Sequence, residues 1–221
     1  MKWGNPLRIS LPHLLHLLAG EPIFDSPSPS LPVSLSSMNA RDELKGILQK
    51  KSIRTGDFTL ASGKKSDFYV DCRVTSMDCR GAILVGEVGF EAVSEKISQL
   101  SKKPVAIGGM TMGADPISLA IAMESSRQGR PLQMFSVRKE AKKYGTGKRV
   151  EGNFQTGDLI VLVEDTATTG GSTIKAMDAI EAEGGKIAFV VILVDREEGA
   201  KEVIEARGVE VLSIYRKPEL I

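Results

Sequence analysis

Two adjacent carboxylates and a run of hydroxyl and glycine residues follow an apolar segment in the second half of the chain. Residues 159–173 read LIVLVEDTATTGGST, and the carboxylates are Glu164 and Asp165. A helix that begins near Ser172 would direct its unpaired N–H groups and the positive end of its dipole at this loop, which favours a bound anion. Hydroxyl donors are added by Thr168, Thr169, Ser172 and Thr173. The pattern predicts a binding site for a phosphate monoester.

The carboxylates indicate what carries the phosphate. Carboxylates accept hydrogen bonds from vicinal hydroxyls such as those of ribose. The loop matches neither the Walker A pattern nor the GxGxxG dinucleotide pattern. Glu164 and Asp165 therefore suggest a ribose 5-phosphate ligand. The alternative is an ordinary strand-to-helix turn, in which Asp165 and Thr169 act as turn and cap residues.

A strongly basic segment provides a second candidate. Residues 138–149 contain six basic residues and one acid, Glu140, together with Gly145 and Gly147. A mobile cationic loop suits a polyanionic ligand that must be enclosed and then released. The alternative is a solvated run of charge on a surface loop.

The remaining pattern predicts the scaffold that positions these groups. Helical spacing of apolar residues occurs at 41–51, 81–100, 115–127 and 172–183. Strand-like apolar runs occur at 68–72, 104–109, 132–137, 159–163 and 187–194. Fully apolar strands that alternate with helices indicate a parallel sheet covered on both faces. The predicted fold class is α/β, with a central, mainly parallel sheet flanked by helices.

Composition excludes several classes of protein. The chain has 221 residues, 26% of them charged, and a net charge of +1. The near-zero charge argues against a nucleic-acid partner, and no apolar run reaches the ~18–20 residues that span a membrane. Cys72 and Cys79 are too few for a disulfide framework, which favours a reducing, cytoplasmic location.

Residues 1–37 differ from the rest. They hold six of the ten prolines, both histidines and the only tryptophan. This composition predicts a disordered or non-native N-terminal extension, followed by a folded domain over residues 38–221. A faint likeness to a signal peptide is opposed by Pro12 and the two histidines inside the apolar run.

Several segments, in order, resemble one family. The Glu164-Asp165 loop resembles the phosphoribosyl diphosphate motif of type I phosphoribosyltransferases. FTLASGKKS at 58–66 followed by DFYVD at 67–71 resembles the amino-terminal signature of orotate phosphoribosyltransferases, and RKEAKKYGTG at 138–147 resembles their mobile catalytic loop. Asp195-Arg196 resembles their orotate-binding position. The resemblance covers the chain from about Met38 to its end.

The resemblance implies a fold and an activity. The fold would be the type I phosphoribosyltransferase α/β fold with a small hood. The activity would be the transfer of ribose 5-phosphate from phosphoribosyl diphosphate to orotate, which gives orotidine 5-monophosphate and pyrophosphate in de novo pyrimidine (UMP) biosynthesis. It also implies magnesium (Mg²⁺) bound with the substrate, and a homodimer whose active-site loop is shared between subunits.

The resemblance also implies roles for individual residues, and no metal ligand among them. Catalytic residues would be Arg138, Lys139 and Lys142. Phosphoribosyl diphosphate would be bound by Arg138, Lys139, Lys142, Tyr144, Glu164, Asp165, Thr166, Ala167, Thr168, Thr169, Gly170, Gly171 and Ser172. Orotate would be bound by Thr168 and Arg196.

The chain departs from the family pattern at four places. Tyr144 stands where many members have histidine, and Lys143 where many have an acid. Ala61 stands where some members have a ligand-contacting lysine, for which Lys64 or Lys65 is a candidate replacement. Relatives often have a lysine near Met112. Because this chain lacks it, more of the pyrophosphate binding would fall to the basic loop.

Other interpretations remain open at this point. Arg196 could form a surface ion pair with Glu197 or Glu198, and Phe68 and Tyr69 could either stack on the base or belong to the core. Residues 108–115 could bind pyrophosphate through backbone N–H groups or form a plain glycine-rich turn. Rival functions are a phosphoribosyltransferase for purine or uracil and a non-catalytic sensor of phosphoribosyl diphosphate. Arg196 and the basic loop argue against the first, and residues 1–37 supply no DNA-binding module for the second.

Overall fold

The computed structural model describes residues 39–59, 65–140 and 148–221. The predictions for residues 1–37, and those for Ala61, Lys64, Lys142, Lys143 and Tyr144, lie outside the described residues. The domain boundary at Met38 therefore stays a prediction.

The described chain begins with a helix and a small separate sheet. Helix α1 (Ala40–Ile47) starts at Asn39, whose side chain accepts a hydrogen bond from the Arg41 N–H, and it continues into a π-helical turn at Leu48–Ser52. Strands β1 (Ile53–Thr59) and β2 (Lys65–Val70) then pair antiparallel, apart from the main sheet. This two-stranded sheet corresponds to the expected small hood.

The main sheet has six strands in the order β5-β4-β3-β6-β7-β8, and only β5 runs antiparallel to its neighbour. The strands are β3 (Ala106–Met110), β4 (Gln133–Val137), β5 (Val150–Gly152), β6 (Leu159–Ala167), β7 (Lys186–Asp195) and β8 (Val211–Arg216). The helices after α1 are α2 (Arg73–Ser76), α3 (Cys79–Gln99), α4 (Ala114–Arg127), α5 (Gly171–Ala182), α6 (Ala200–Glu205) and α7 (Lys217–Leu220). Within the described ranges, no helix combines the length and apolar character needed to cross a membrane.

Helices cover both faces of the sheet, which explains the continuous apolar strands. Successive side chains of a strand point to opposite faces. Val161 and Val163 accordingly join the core beneath α3 and α4, whereas Ile160 and Leu162 join the core beneath α5 and α6. Each face thus needs its own apolar residues, and the predicted α/β class with a mainly parallel sheet is confirmed.

A crevice follows from the order of the strands. Strands β3 and β6 are parallel neighbours, but the chain proceeds from β3 to β4 on one side and from β6 to β7 on the other. Helix α4 packs on one face and helix α5 on the opposite face. Open α/β sheets bind ligands beyond the carboxyl ends of the strands at such a switch point.

The first helix is held against the last strand. The Tyr215 hydroxyl donates a 2.6 Å hydrogen bond to the Arg41 carbonyl, and the Arg41 guanidinium lies 4.7 Å from the centre of the Tyr215 ring. Burial raises the pKa of the Tyr215 phenol. Arg41 Nη2 also lies 3.7 Å from Glu219 Oε1, so the first and last helices of the described domain are neighbours.

Candidate active site

Strand β6 ends differently from the sequence prediction. We predicted a strand at 159–163 followed by a loop, but β6 continues through Glu164, Asp165 and Thr166 to Ala167. Because strand side chains alternate between faces, the two carboxylates point to opposite sides of the sheet. Glu164 faces α5, and Asp165 faces the start of α4.

Glu164 is a buried carboxyl group with one strong partner. Its exposed fraction is 7%. Its Oε2 accepts a 2.7 Å hydrogen bond from Thr173 Oγ1. Burial raises the pKa of Glu164 to about 8, against the lowering effect of the Thr173 hydrogen bond, and the charge of Asp165 raises it further. The Thr173 hydroxyl therefore serves Glu164, which corrects the expectation that it donates to a phosphate.

Asp165 lies against the turn between β3 and α4. A Cβ atom on Gly113 would lie 2.4 Å from both Cγ and Oδ2 of Asp165. Asp165 Oδ1 also accepts a 2.9 Å hydrogen bond from the Thr166 N–H. Only a glycine at position 113 leaves room for the carboxylate where it stands.

The β6–α5 loop, residues 168–170, leads into a helix whose N-terminus is open. Gly170 has a left-handed backbone with φ of 81°, and no side chain among the described residues caps α5 at this end. Thr169, Gly171 and Ser172 are exposed. The first N–H groups of α5 are thus available to an anion.

The β3–α4 turn, residues 111–113, is tied to the end of β4. Asp115 accepts a 2.5 Å hydrogen bond from Thr111 Oγ1 and a 2.7 Å hydrogen bond from Ser136 Oγ. The Thr111 N–H donates to the Val137 carbonyl at 2.8 Å. The turn therefore keeps a fixed position beside the residues that lead into the basic loop.

The two ends of the basic loop (residues 138–149) are pinned together. The Arg138 N–H donates to the Arg149 carbonyl at 2.8 Å, and the Arg149 side chain donates to the carbonyls of Arg138 and Lys139, at 3.2 Å in each case. Glu183 accepts a 2.8 Å hydrogen bond from the Arg149 N–H. Arg138 and Lys139 are exposed at the end of β4. Lys142 and Tyr144 of this loop lie outside the described residues.

Arg196 stands at the end of β7, beside the β6–α5 loop. Its N–H donates to the Ala167 carbonyl at 3.0 Å, which brings it next to Thr168. Its exposed fraction is 6%, and its Nη2 pairs with Glu198 Oε1 at 2.7 Å. The ion pair considered from the sequence exists, but it holds a buried guanidinium rather than one on the surface.

The two aromatic residues of β2, which could either stack on the base or belong to the core, differ in their burial. Phe68 is buried, and its ring centre lies 5.6 Å from the Arg196 guanidinium and 5.3 Å from Lys217 Nζ. Tyr69 is exposed, and its ring packs 5.6 Å from that of Phe58. Phe68 therefore belongs to the core directly beneath Arg196.

The structure thus brings most of the described candidates to one edge of the sheet. The carboxylates, the β6–α5 loop and Arg196 share the carboxyl ends of β6 and β7, and Arg138 and Lys139 follow β4 two strands away. Sequence reasoning gave no site role to Cys72 or Arg73, and Asp71 entered only as the last residue of the signature at 67–71. Cys72 Sγ lies 3.2 Å from Thr166 Oγ1, which joins this segment to β6. The Asp-x-Arg spacing directly after a strand was the available signal.

Similar proteins extend over most of the chain, although no protein-family model matches it. The chain is 41% identical over 191 residues to an orotate phosphoribosyltransferase of Rhodopseudomonas palustris (strain BisB18), covering 85% of this chain and 99% of the relative. It matches the crystal structure of Mycobacterium tuberculosis H37Rv orotate phosphoribosyltransferase with a TM-score of 0.71 and 36% identity, covering 82% of this chain and 99% of the other. The complex of that enzyme with 5-phospho-alpha-D-ribosyl 1-diphosphate matches with a TM-score of 0.68 and 34% identity, over 82% and 99% of the two chains.

Proposed function

Because the chain belongs to the orotate phosphoribosyltransferase family, we propose that the residues at the carboxyl edge of its sheet carry out the reaction of that family. The reaction transfers ribose 5-phosphate from phosphoribosyl diphosphate to orotate and gives orotidine 5-monophosphate and pyrophosphate, a step of pyrimidine biosynthesis. The enzyme class is pentosyltransferase. The observation that carries the residue assignment is the pair of carboxylates directly before the open N-terminus of α5.

The 5-phosphate binds to the end of β6 and the start of α5. The proposed ligands are Thr166, Ala167, Thr168, Thr169, Gly170, Gly171 and Ser172. Exposed hydroxyls and the uncapped N–H groups of α5 support this assignment, because both donate to phosphate oxygens and the helix dipole favours negative charge.

The ribose hydroxyls bind between Glu164 and Asp165. With its pKa raised to about 8, Glu164 is largely protonated at neutral pH. A protonated carboxyl group can donate one hydrogen bond as well as accept others, whereas an ionised carboxylate only accepts. Glu164 can therefore donate to one ribose oxygen, and the neutral form avoids placing two adjacent anions under the sugar.

The diphosphate is held by cations of the basic loop. Arg138 and Lys139 supply charge from the end of β4, and Lys142 and Tyr144 are proposed as further ligands and Lys142 as a catalytic residue, by resemblance to the family. Arg and Lys groups stabilise the charge that develops on a departing pyrophosphate. Replacement of Lys142 with Ala should lower turnover far more than it lowers stability.

Magnesium fits this site as an ion carried by the substrate. Among the described residues, no group of three or more His, Cys, Asp or Glu side chains could enclose a metal ion. Mg²⁺ prefers substrate phosphates, waters and only one or two carboxylates, so a dedicated cage of protein ligands is not required. The ion would neutralise charge on the pyrophosphate.

The chemistry needs no protein nucleophile. The bond between C1 of the ribose and the pyrophosphate oxygen breaks through an oxocarbenium-like state, and a ring nitrogen of orotate attacks C1 from the opposite face. The proton of that nitrogen is lost as the new bond forms, and the released pyrophosphate can accept it. The protein contributes positioning and stabilisation of charge. The fixed contacts of Glu164 with Thr173 and of Asp165 with the β3–α4 turn suit that role, since they hold both carboxylates before the substrate arrives.

Orotate binds to Arg196 and Thr168. A guanidinium forms a bidentate pair with a carboxylate, which an ammonium group cannot match. The Arg196 guanidinium is buried above the Phe68 ring, and its partner Glu198 is more exposed. Orotate would replace Glu198 as the carboxylate partner of Arg196.

We further propose a homodimer and a cytoplasmic location. Three large apolar side chains are exposed on α3 and α4. They are Ile83, Leu119 and Met123. Exposed apolar surface of this kind is typical of a protein interface, and a second copy of the chain would cover it and bring its basic loop to the neighbouring site.

The function is tested with the full chain, Mg²⁺ and phosphoribosyl diphosphate, by following the loss of orotate absorbance. Parallel reactions replace orotate with uracil, adenine or hypoxanthine. We expect consumption of orotate alone. Turnover of another base would keep the phosphate site but overturn the orotate assignment, and binding of phosphoribosyl diphosphate without turnover of any base would favour the sensor.

The orotate site is tested by the Arg196→Lys variant. We expect the KM for orotate to rise at least about tenfold, because one strong bidentate pair is lost. The KM for phosphoribosyl diphosphate should change by less than about twofold, since Arg196 contacts only the base in this proposal. The matched control is Arg207→Lys, which alters an arginine paired with Asp178 and Glu181 away from the site.

A further inference from the structure

The segment from Asp71 to Arg73 is fixed beside the candidate active site. Cys72 is buried, and its sulfur lies 3.2 Å from the Thr166 hydroxyl at the end of β6. Arg73 Nε and Nη2 each donate a 2.8 Å hydrogen bond to Asp71, and the Arg73 N–H donates to the same carboxylate at 3.1 Å. The guanidinium is therefore held in one orientation by its own neighbour.

Arg73 and the β3–α4 turn line the same cavity. The cavity has a volume of about 520 Å³ and is lined by Asp71, Arg73, Val74, Met77, Asp78 and Met112. The Asp78 carboxylate is paired with Lys51, which compensates its charge. Met112 directly precedes Gly113, whose lack of a Cβ leaves room for the Asp165 carboxylate. The pKa of Arg73 is raised mainly by its hydrogen bond to Asp71 and by the negative charge of Asp71. The charge of Asp165 raises it to a smaller extent.

The geometry of the substrate indicates what enters this cavity. In phosphoribosyl diphosphate, the 5-phosphate and the diphosphate leave opposite ends of the ribose. If the 5-phosphate lies on the α5 side of the carboxylates, the diphosphate extends to the other side, toward the β3–α4 turn. Arg73 is a described cation that lines the cavity at that turn.

We infer that Arg73 binds the diphosphate of phosphoribosyl diphosphate, with Asp71 as its positioning residue. The inference rests on the proposed function. The pair with Asp71 uses the Nε edge and one Nη2 hydrogen, and within the described residues the guanidinium has no other hydrogen-bond acceptor. Its remaining N–H groups can therefore donate to phosphate oxygens, and a guanidinium that is already oriented loses less freedom on binding.

The test compares Arg73→Gln with a matched control, Arg80→Gln. Arg80 forms the same bidentate pair with Glu43, at 2.8 and 2.6 Å, and the two arginine side chains are 48% and 50% exposed. The first readout is the affinity of the full chain for magnesium pyrophosphate by titration calorimetry. The second is the KM for phosphoribosyl diphosphate and for orotate, and the third is the melting temperature.

We expect Arg73→Gln to weaken pyrophosphate binding and to raise the KM for phosphoribosyl diphosphate, each by about tenfold or more. The KM for orotate and the melting temperature should match those of Arg80→Gln. Arg73→Lys keeps the charge and should recover part of the pyrophosphate affinity.

Two results would overturn the inference. One is pyrophosphate binding by Arg73→Gln equal to that of Arg80→Gln, in an enzyme that still turns over orotate. The other is a loss of binding that accompanies a lower melting temperature and is not recovered by Arg73→Lys, which would assign Arg73 a structural role. Failure of the unaltered chain to turn over orotate would instead contradict the proposed function.

Discussion

The β6–α5 loop and the β3–α4 turn occupy equivalent places but are built differently. Each follows a parallel strand at the switch point and precedes a helix that has no side-chain cap among the described residues. The first turn of α5 has no acidic residue, whereas the first turn of α4 contains Asp115. Asp115 is occupied by the hydroxyls of Thr111 and Ser136.

This difference separates the two phosphate-binding tasks of the proposed function. The first turn of α5 offers uncapped N–H groups and contains no carboxylate, which suits a 5-phosphate that remains bound through the reaction. At the start of α4 a carboxylate already stands in the first turn, and it would repel a second anion. The turn before α4, together with nearby cations, is therefore better suited to a diphosphate that must leave.

The largest effect that would sharpen this comparison is expected for Gly113→Ala. The added Cβ would lie 2.4 Å from the Asp165 carboxylate, so the carboxylate must move. We expect kcat/KM for phosphoribosyl diphosphate to fall by about 100-fold, as for other misplacements of about 1 Å. The control is Gly46→Ala on α1, where nothing lies within 4 Å of the added atom. Equal activity of the two variants in steady-state assays would show that the close approach is unnecessary.

Asp115→Ala should have a smaller effect, confined to the β3–α4 side. It removes the acceptor of two hydroxyl groups, which we expect to lower the free energy of unfolding by about 1–3 kcal/mol. Urea unfolding gives that value. The KM for phosphoribosyl diphosphate should rise, because the loss of the two hydrogen bonds that fix the turn outweighs the removal of the repulsion. The control is Asp178→Ala, an exposed acid of α5 that pairs with Arg207. An unchanged KM in Asp115→Ala would separate this side chain from substrate binding.

Gly170→Ala and Gly171→Ala should divide stability from binding on the β6–α5 side. Gly170 has φ of 81° and its Cβ would lie 3.3 Å from Ala200, so alanine there should cost about 1–2 kcal/mol of stability. Gly171 has open space around it, so its alanine variant should fold normally. If the 5-phosphate binds at this point, Gly171→Ala weakens binding of ribose 5-phosphate while the melting temperature stays constant. Unchanged ribose 5-phosphate affinity would remove Gly171 from the proposed phosphate site.

The smallest expected effect is a dependence of the free energy of unfolding on pH. The pKa of Glu164 is about 8 in the folded chain against an ordinary value of 4.5, so the folded state keeps a proton that the unfolded state has lost. Stability should fall as pH rises between those values, by at most about 1.4 kcal/mol per pH unit from this group, and then level off. Glu164→Gln should remove this component. Denaturant titrations from pH 5 to 9 measure this component. If the free energy of unfolding varied with pH in the same way for the unaltered chain and for Glu164→Gln, the prediction would be contradicted.

The sequence was informative about the centre of the fold and less so about its edges. Strands β6 and β7 were predicted because both faces of the sheet are covered, so that residues 159–163 and 187–194 are all apolar. Strands β1 and β5 were not predicted, because β1 is mostly exposed and β5 has only three residues. Strand β8 contains Ser213 and Arg216 among its apolar residues, which interrupts the pattern.

The candidate site was predictable where its residues are adjacent in the chain. Glu164, Asp165 and the loop after them form one continuous segment. The contact of Gly113 with Asp165 and that of Cys72 with Thr166 join distant segments, and no periodicity in the sequence encodes them. The prediction that the Thr173 hydroxyl donates to a phosphate was wrong for a related reason. Strand β6 extends further than its apolar residues indicate, and this extension places Glu164 against Thr173.

The contact of Arg41 with Glu219 matters for joining this domain to other polypeptides. Both ends of the described domain meet at strand β8. A fusion partner at either end would start from the same side of the molecule, at the carboxyl end of β8, two strands from β6 and beside the strand that leads into Arg196. A short linker could also join the two ends while new ones open at the exposed residues 101–103, which would give a circular permutant with the same catalytic edge.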